Sequence, residues 1–182
     1  MNLRNFSLVP FRGGEDLPGL TISGTIGRSA DTLYIVYAVA GNLSVLAVPP
    51  AAESPDRKDR LWEGTCLEFF LGAKGSDRYW EFNLSPAGHW NVYRFASCRE
   101  GRQEEPSFPS LPFGVRIGPD ILRLSLDLDL GKILPAGETV EAGVCAVIRT
   151  ATGGTSHWAL THPGPRPDFH RRDGFALTIP GE

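Results

Sequence analysis

Apolar and polar residues alternate with a period of two in many short segments of the chain. The alternation is clearest at 122–128, where leucine occupies every second position, and it recurs at 20–26 and 33–39. Side chains of a strand point alternately to its two faces, so this pattern predicts half-buried β-strands. Further predicted strands are 6–9, 43–48, 65–71, 79–84, 89–95, 113–117, 140–150, 156–160 and 175–179.

Helical periodicity is almost absent. No long segment carries an apolar stripe with a period of 3.6, and only 127–134 favours a short helical turn. Clusters of Gly, Pro, Asn and Asp separate the predicted strands, which is typical of a β-sandwich or a β-barrel. Two long polar loops, 49–60 and 97–112, are either functional loops or solvated excursions. Strands resume on both sides of each loop, so we expect one domain over 1–182.

Composition narrows the function classes. The chain has 182 residues and a formal net charge of −3, which argues against general nucleic-acid binding. It contains no run of ~18 apolar residues, so no membrane helix is predicted. The first residues lack an apolar signal core, and the expected location is therefore cytoplasmic. The cysteines, Cys66, Cys98 and Cys145, form no metal-binding or disulfide pattern and are expected to be reduced.

The segment 79–95 predicts a hairpin with a polar face. Pairing Leu84 with His89 across the turn 85–88 defines the register. One face then carries Glu81, Asn83, Trp90 and Arg94, together with Tyr79 and Val92. Such a face is either a ligand platform or a solvated surface with a Glu81–Arg94 ion pair. A loop one residue longer or shorter would exchange the two faces.

Glu68 stands between Leu67 and Phe69 in a strongly apolar strand, and Trp62 lies six residues earlier. A carboxylate buried there without partners would be costly. Glu68 therefore either faces a groove, with Trp62 at the rim, or pairs with an arginine.

The segment 157–175 holds three of the four histidines and is stiffened by prolines. Asp168 and His170 suit a base with its orienting group or two metal ligands, although their spacing matches no defined mechanism. Polar loop residues that pin the end of a sandwich are the commoner explanation. Serine-nucleophile and phosphate-loop motifs are absent. Glu63, Glu68 and Glu81 permit a pair of catalytic carboxylates without indicating one.

Three blocks taken together resemble a known family. The run 61–71 resembles the W-x-x-(D/T)-x-x-E-x-F strand of family 9 carbohydrate-binding modules and DOMON-like domains. The run 79–88 resembles the next strand and turn of that family, and Trp158 with 168–175 resembles its closing segment. The whole chain resembles a single-domain bacterial DOMON-like family. It departs from the pattern at Thr65-Cys66, where an Asp is usual, and at Arg171-Arg172, where a Pro is usual.

The resemblance implies a two-sheet antiparallel β-sandwich of jelly-roll type and a sugar-binding site. Trp62 and Trp158 would clamp a sugar ring, while Glu68 and Arg94 would hydrogen-bond its hydroxyl groups. Glu81, Asn83, Trp90 and His170 complete the expected ligand-binding set.

Other DOMON-like domains bind haem through Met and His. The only methionine is Met1, so that ligation is excluded, and a bis-His site from His89, His157, His162 and His170 is the alternative. We expect no cofactor, although acidic residues at 15–16 and at Asp56 and Asp59 permit a structural calcium ion.

Three functions follow from these observations. The first is a non-catalytic module that binds a carbohydrate or a sugar-like small molecule. The second is a sugar-acting enzyme that uses Glu68 with His157 or His170, and the third is a structural or protein-interaction sandwich. The oligomeric state is left open.

Overall fold

The protein consists of two antiparallel β-sheets packed face to face. The structure is a computed structural model that describes residues 2–181. The smaller sheet has the order β1-β3-β4-β10-β9, and the larger has the order β2-β12-β11-β5-β6-β7-β8 with β13 also paired to β11. The strands are β1 Asn2–Ser7, β2 Val9–Pro10, β3 Thr21–Ser29, β4 Thr32–Ala40, β5 Cys66–Ala73, β6 Tyr79–Leu84, β7 Trp90–Phe95, β8 Gln103–Glu104, β9 Gly114–Ile117, β10 Ile121–Asp129, β11 Val140–Arg149, β12 Thr155–Ala159 and β13 Leu177–Ile179.

The main core lies between the sheets and follows from the alternation in the sequence. In β10 the four leucines are buried and the polar residues between them are exposed. In β4, Leu33, Ile35, Tyr37 and Val39 point inward. The Tyr37 hydroxyl donates to the backbone carbonyl of Glu68 in the opposite sheet, at 2.6 Å. The predicted all-β, two-sheet antiparallel sandwich is confirmed.

Short 3₁₀ helices replace longer helices. They span Leu43–Val45, Leu61–Glu63, Leu130–Lys132 and Arg172–Gly174. The turn predicted within 127–134 is confirmed, and the Asp129 side chain accepts from Gly131 N at its start. The strand predicted at 43–48 is wrong: Asn42 caps the first 3₁₀ helix through Ser44 N, and only Leu46 makes an isolated bridge. A side-chain cap here competes successfully with strand pairing.

The hairpin of β6 and β7 differs from the predicted register by one residue. Ser85 N donates to His89 O at 2.9 Å, so three residues, not four, form the loop. Gly88 adopts a φ of 96°, which is typical of a three-residue loop ending in a left-handed position. Leu84 consequently pairs with Trp90 and Glu81 with Tyr93. This exchange turns Trp90 and Arg94 to the face opposite Glu81.

The outer face of the larger sheet is also covered. All six residues of β6 are buried, which requires protein on both faces of that strand. A second apolar cluster on the outer face contains Phe70, Tyr79, Tyr93, Phe95, Cys145, Ala159 and Phe175, with Trp62 and Phe169 packed against it. The covering segments are the 3₁₀ helix with Trp62, the loop after β7 and residues 161–175. Between these segments lies the candidate site.

No helix among residues 2–181 has both the length and the apolar character needed to cross a membrane. Cys66 and Cys145 are buried, Cys98 is exposed, and all three are free thiols.

Candidate functional site

A cavity of about 450 Å³ opens on the outer face of the larger sheet. This volume lies within the range of small-molecule sites, which is roughly 300–1,000 Å³. We call it the outer cavity. Its lining residues come from β5, β6, β7, β11 and β12 and from the three covering segments: Trp62, Glu68, Phe70, Glu81, Phe95, Arg99, Arg102, Val147, His157, Pro167, Phe169 and His170.

Two carboxyl groups form the floor of the outer cavity. Glu68 on β5 is 2% exposed and Glu81 on β6 is 5% exposed. Asn83 Nδ2 donates to Glu81 Oε1 at 2.8 Å, while Glu68 Oε1 has no hydrogen-bond partner among residues 2–181. Burial, and then the charge of Glu81, raises the pKa of Glu68 well above its usual value. Burial also raises the pKa of Glu81 to about 7. The floor is thus acidic and holds at least one proton at mildly acidic pH.

His170 forms one wall with a defined tautomer. The Tyr79 hydroxyl accepts from Arg99 N at 3.0 Å and lies 2.8 Å from His170 Nδ1. Burial raises the pKa of Tyr79 to about 12, so its own proton is available for Nδ1. Burial and then the charge of Arg99 lower the pKa of His170 to about 4. The neutral ring therefore carries its proton on Nε2, which lies 3.7 Å from Glu81 Oε2.

Two arginines of the loop after β7 border the opening. Arg99 Nη2 pairs with Asp168 Oδ1 at 2.7 Å, and the same carboxylate accepts from His170 N at 3.1 Å. This contact ties the loop after β7 to the segment that carries His170. The Arg102 guanidinium lies over the rings of Trp62 and Tyr93, at 5.7 and 5.2 Å from their centroids. Within residues 2–181, Arg102 forms no ion pair.

A buried polar network supports Trp62 from below. Its indole meets Tyr93 edge to face at 5.9 Å. The Tyr93 hydroxyl donates to Asp59 Oδ1 and accepts from Asn91 Nδ2 at 2.9 Å. Arg57 Nη1 in turn donates to Asn91 Oδ1 at 2.7 Å. The position of the Trp62 ring therefore depends on the polar loop that precedes it.

The predicted site residues divide into two groups. Trp62, Glu68, Glu81 and His170 lie together on the outer cavity. Asn83 lies beside Glu81 on the same face of β6, where it donates to the Glu81 carboxyl. Their role in ligand binding stays a prediction. Neither Glu68 nor Glu81 pairs with an arginine in the described part of the chain, so the structural alternatives built on such pairs are wrong.

The other three predicted residues lie on the core face of the larger sheet. Trp158 is 4% exposed and pairs with Ala146 in the main core. Trp90 packs in the same core beneath the Arg57 guanidinium, at 4.4 Å. Arg94 donates to Gln103 Oε1 at 2.6 Å, at the edge of the sheet. The expected clamp of Trp62 and Trp158 is therefore wrong, as is the placement of Trp90 and Arg94 in the site.

Several cavity residues were missed or only partly anticipated. Arg99 and Arg102 belong to the loop 97–112, where length was the available signal. Phe95 lies at the end of β7 and was not among the predicted site residues. Phe169 and His157 belong to the C-terminal segment whose polar character was noted. Loops and register, unlike strand positions, depend on long-range contacts.

The metal and haem alternatives depend on where the histidines and acidic residues lie. Among residues 2–181, no three His, Cys, Asp or Glu side chains converge on a point that could hold a metal ion. His89 Nδ1 accepts from Asp56 N, and His162 Nε2 contacts Val9 O. Of the four histidines, His157 and His170 border the outer cavity.

Glu81 is expected to make stability depend on pH. Its folded-state pKa of about 7 exceeds the usual value of 4.5, so folding favours the protonated form. This contribution is complete below pH 4.5 and is lost as the pH rises through 7. The replacement Glu81→Gln mimics the protonated carboxyl at every pH. Between pH 5.5 and pH 8, the free energy of unfolding of the wild type should therefore fall by about 2 kcal/mol relative to that of Glu81→Gln. Below pH 7 the fall approaches about 1.4 kcal/mol per pH unit.

Urea denaturation of both proteins across this range measures the difference. Taking the difference removes the opposite contribution of His170, whose lowered pKa makes its stabilisation decline as the pH falls from 6.5 to about 4. The replacement of the exposed Glu63 by Gln is the control. Its free energy of unfolding should differ from that of the wild type by the same amount at each pH. A difference for Glu81→Gln that does not change with pH would contradict a buried, protonated Glu81.

The fold and the cavity together define a β-sandwich with a ligand-sized site on the outer face of one sheet. Solved structures with this architecture include a "putative carbohydrate-binding protein" from Bacteroides uniformis. It superposes with a TM-score of 0.71 at 19% sequence identity, covering 100% of this chain and 86% of that chain.

Two further matches are a family 9 carbohydrate-binding module from Caldicellulosiruptor kristjanssonii, solved with glucose and with cellotriose. The glucose complex has a TM-score of 0.55 at 11% identity, covering 91% of this chain and 78% of that chain. The cellotriose complex has a TM-score of 0.50 at 12% identity, covering 87% and 74%. Neither a protein-family model nor a curated protein matches the chain. At these identities the likeness shows the fold.

Proposed function

We propose that the protein is a non-catalytic carbohydrate-binding domain that holds a sugar or sugar-like small molecule in the outer cavity. The observation that carries this proposal is the pairing of a rim tryptophan, Trp62, with a buried and partly unpartnered carboxyl, Glu68, in one ligand-sized cavity. A buried acceptor without a partner is costly, and a ligand hydroxyl group would remove that cost.

The remaining lining groups suit a sugar. The apolar faces of a pyranose ring pack against aromatic planes, which Trp62 and Phe169 provide. The hydroxyl groups require both donors and acceptors. Arg102 and His170 Nε2 provide donors, and the carboxyl of Glu81 provides an acceptor. Trp62 alone replaces the pair of tryptophans that the sequence suggested. Its contact area with the sugar ring is smaller than that of a pair, so modest affinity is expected.

The comparisons support the same class of ligand. The Caldicellulosiruptor kristjanssonii module has this fold and was solved with glucose and cellotriose. We further propose that the DOMON-like part of the resemblance reflects common ancestry, supported by the spacing of Trp62, Thr65 and Glu68 on one strand and its preceding turn. The single-domain organisation and the cytoplasmic location stay predictions.

A sugar-acting enzyme is the second candidate, because a specific observation favours it. Glu68 is not locked to an arginine, and burial raises its pKa well above the usual range. Glu81 shares the floor with it, so two carboxyl groups whose pKa values are raised by burial face one cavity. Such pairs serve as acid and base in glycoside hydrolysis. Incubation with aryl glycosides of several configurations tests this candidate: release of the aryl group that is lost in Glu68→Gln would establish it.

Isothermal titration calorimetry with mono- and disaccharides tests the binding function. We expect saturable binding, and we expect Trp62→Ala to weaken it at least about 10-fold, which corresponds to about 1.4 kcal/mol of stacking and desolvation. The matched control is Leu61→Ala, on the same 3₁₀ helix but outside the lining of the outer cavity. Equal affinities for wild type and Trp62→Ala, or no binding of any sugar by the folded protein, would contradict the proposal.

A further inference from the structure

The floor of the outer cavity carries two carboxyl groups, and the charges of Arg102 and Arg99 act on Glu81 from the opening without forming an ion pair with it. Glu68 and Glu81 project from the same face of adjacent strands, because Glu68 pairs with Asn83 and Phe70 pairs with Glu81. Diagonal neighbours of this kind lie roughly 7–8 Å apart, with their Cβ atoms somewhat closer, so both carboxyl groups can reach one bound group. Each residue is at most 5% exposed.

The positive groups nearest to the floor are engaged elsewhere. Arg99 pairs with Asp168, and Arg102 lies over the rings of Trp62 and Tyr93. His170 is neutral, and its Nε2 remains 3.7 Å from Glu81 Oε2, beyond a normal hydrogen bond. In residues 2–181, no lysine or arginine forms an ion pair with either floor carboxyl. Glu68 Oε1 therefore has no partner among these groups, and its residue lines the cavity, where a ligand can reach it.

We propose that the outer cavity selects a sugar that carries a protonated amine, with the ammonium group held between the carboxyl groups of Glu68 and Glu81. The proposal rests on the carbohydrate-binding function and specifies its ligand class. An ammonium group has three N–H donors and a charge, so it can serve both carboxyl groups at once. A single hydroxyl group donates one hydrogen bond, and charge-assisted bonds are roughly twice as strong as neutral ones.

The cavity walls agree with a cationic group. Trp62, Phe95 and Phe169 place aromatic rings around the floor, and aromatic faces attract cations at close range. Three other titratable groups interact electrostatically with Glu68: the buried thiols of Cys66 and Cys145 and the Tyr37 phenol. Burial raises the pKa of each of them. These three groups are neutral near pH 7, so they do not compensate the charge that the floor carboxyl groups acquire.

Binding of an ammonium group should also move a proton. Burial keeps the floor partly protonated, since it raises the pKa of Glu81 to about 7 and that of Glu68 well above its usual value. A bound cation favours the ionised carboxyl groups. The proton leaves the carboxyl pair for the buffer, and no covalent bond forms or breaks. A neutral sugar makes no such demand and should release no proton.

Calorimetry with matched sugar pairs tests the inference. The pairs are glucosamine with glucose, galactosamine with galactose and mannosamine with mannose, titrated at pH 7 in two buffers of different ionisation enthalpy. In at least one pair we expect the amino sugar to bind 10-fold or more tightly than its parent, with proton release that the parent does not show. The N-acetyl derivative, which lacks the charge, should lose this advantage.

The variant Glu68→Gln separates charge from shape. It should lower the ratio of amino-sugar to parent-sugar affinity from 10 or more to about 1, whereas the exposed Glu63→Gln should leave the ratio unchanged. Parent sugars that bind as tightly as amino sugars would overturn this inference and leave the binding function standing. A folded protein that binds no member of any pair would overturn both.

Discussion

Replacing Arg57 by alanine is expected to lower the free energy of unfolding by roughly 3 kcal/mol or more, because one guanidinium satisfies several buried acceptors. Nη2 donates to Glu105 O at 3.0 Å and to Phe108 O at 2.5 Å, and Nη1 donates to Asn91 Oδ1. The same group covers the Trp90 ring. Hydrogen bonds that involve a charged donor contribute about 1.5–3 kcal/mol each, although such contributions do not add fully.

The Arg57→Ala replacement should also change the position of Trp62 in the outer cavity. Asn91 connects Arg57 to Tyr93, and Tyr93 supports Trp62. Urea denaturation gives the change in stability, and the difference in fluorescence between proteins with and without Trp62→Ala isolates the signal of Trp62 from that of Trp90. Lys58→Ala is the matched control, since Lys58 is the exposed neighbour of Arg57 and its backbone bonds do not depend on its side chain. An Arg57→Ala protein as stable as Lys58→Ala would show that the network contributes nothing.

Gly24→Ala should destabilise the smaller sheet by about 3 kcal/mol. Gly24 lies between Phe6 of β1 and Tyr37 of β4. A Cβ atom there would lie 1.9 Å from Val36 O and 2.5 Å from Phe6 Cζ, so backbone and ring would both have to move. The absence of that atom lets the Phe6 and Tyr37 rings meet edge to face at 5.5 Å.

Gly24 is also connected to the outer cavity through its neighbour Tyr37. Tyr37, which packs beside it, holds the Glu68 carbonyl across the sandwich. Thermal or urea unfolding measures the loss, and Gly118→Ala is the control because its nearest neighbour would lie 3.5 Å from an added Cβ. We expect Gly118→Ala to remain within about 0.5 kcal/mol of wild type, as surface changes usually do. Two alanine variants of equal stability would contradict the close contact at Gly24.

The sheet framework was predictable from sequence because burial on one face imposes a period of two. Leu122, Leu124, Leu126 and Leu128 all point into the core as the pattern requires. The failure at 43–48 had a local cause, the cap that Asn42 provides. The predicted register of the β6–β7 hairpin was wrong for a different reason. Both registers place apolar residues on both faces, so the alternation of residues does not distinguish them. Gly88 decided it by permitting the three-residue loop.

The site was predictable in part. Glu68 stood out because a charged residue in an apolar strand needs an explanation, and the structure places it on a cavity. Trp158 had an equally good motif position but occupies the core, because the pleat of β12 turns it toward Ala146. Arg99 and Arg102 were beyond local reasoning, since their position depends on contacts with Asp168 and Trp62 that are distant in sequence.

By itself, the sequence determined an all-β sandwich, the strands that build it and the carboxyl and indole that mark one surface. Periodicity and the cost of a buried charge are local properties, and they can be read from neighbouring residues. Only the tertiary structure decided which face of the larger sheet holds the site, which arginines border it and that a single tryptophan forms its rim. Those facts depend on hairpin register and loop closure, where residues far apart in the chain meet.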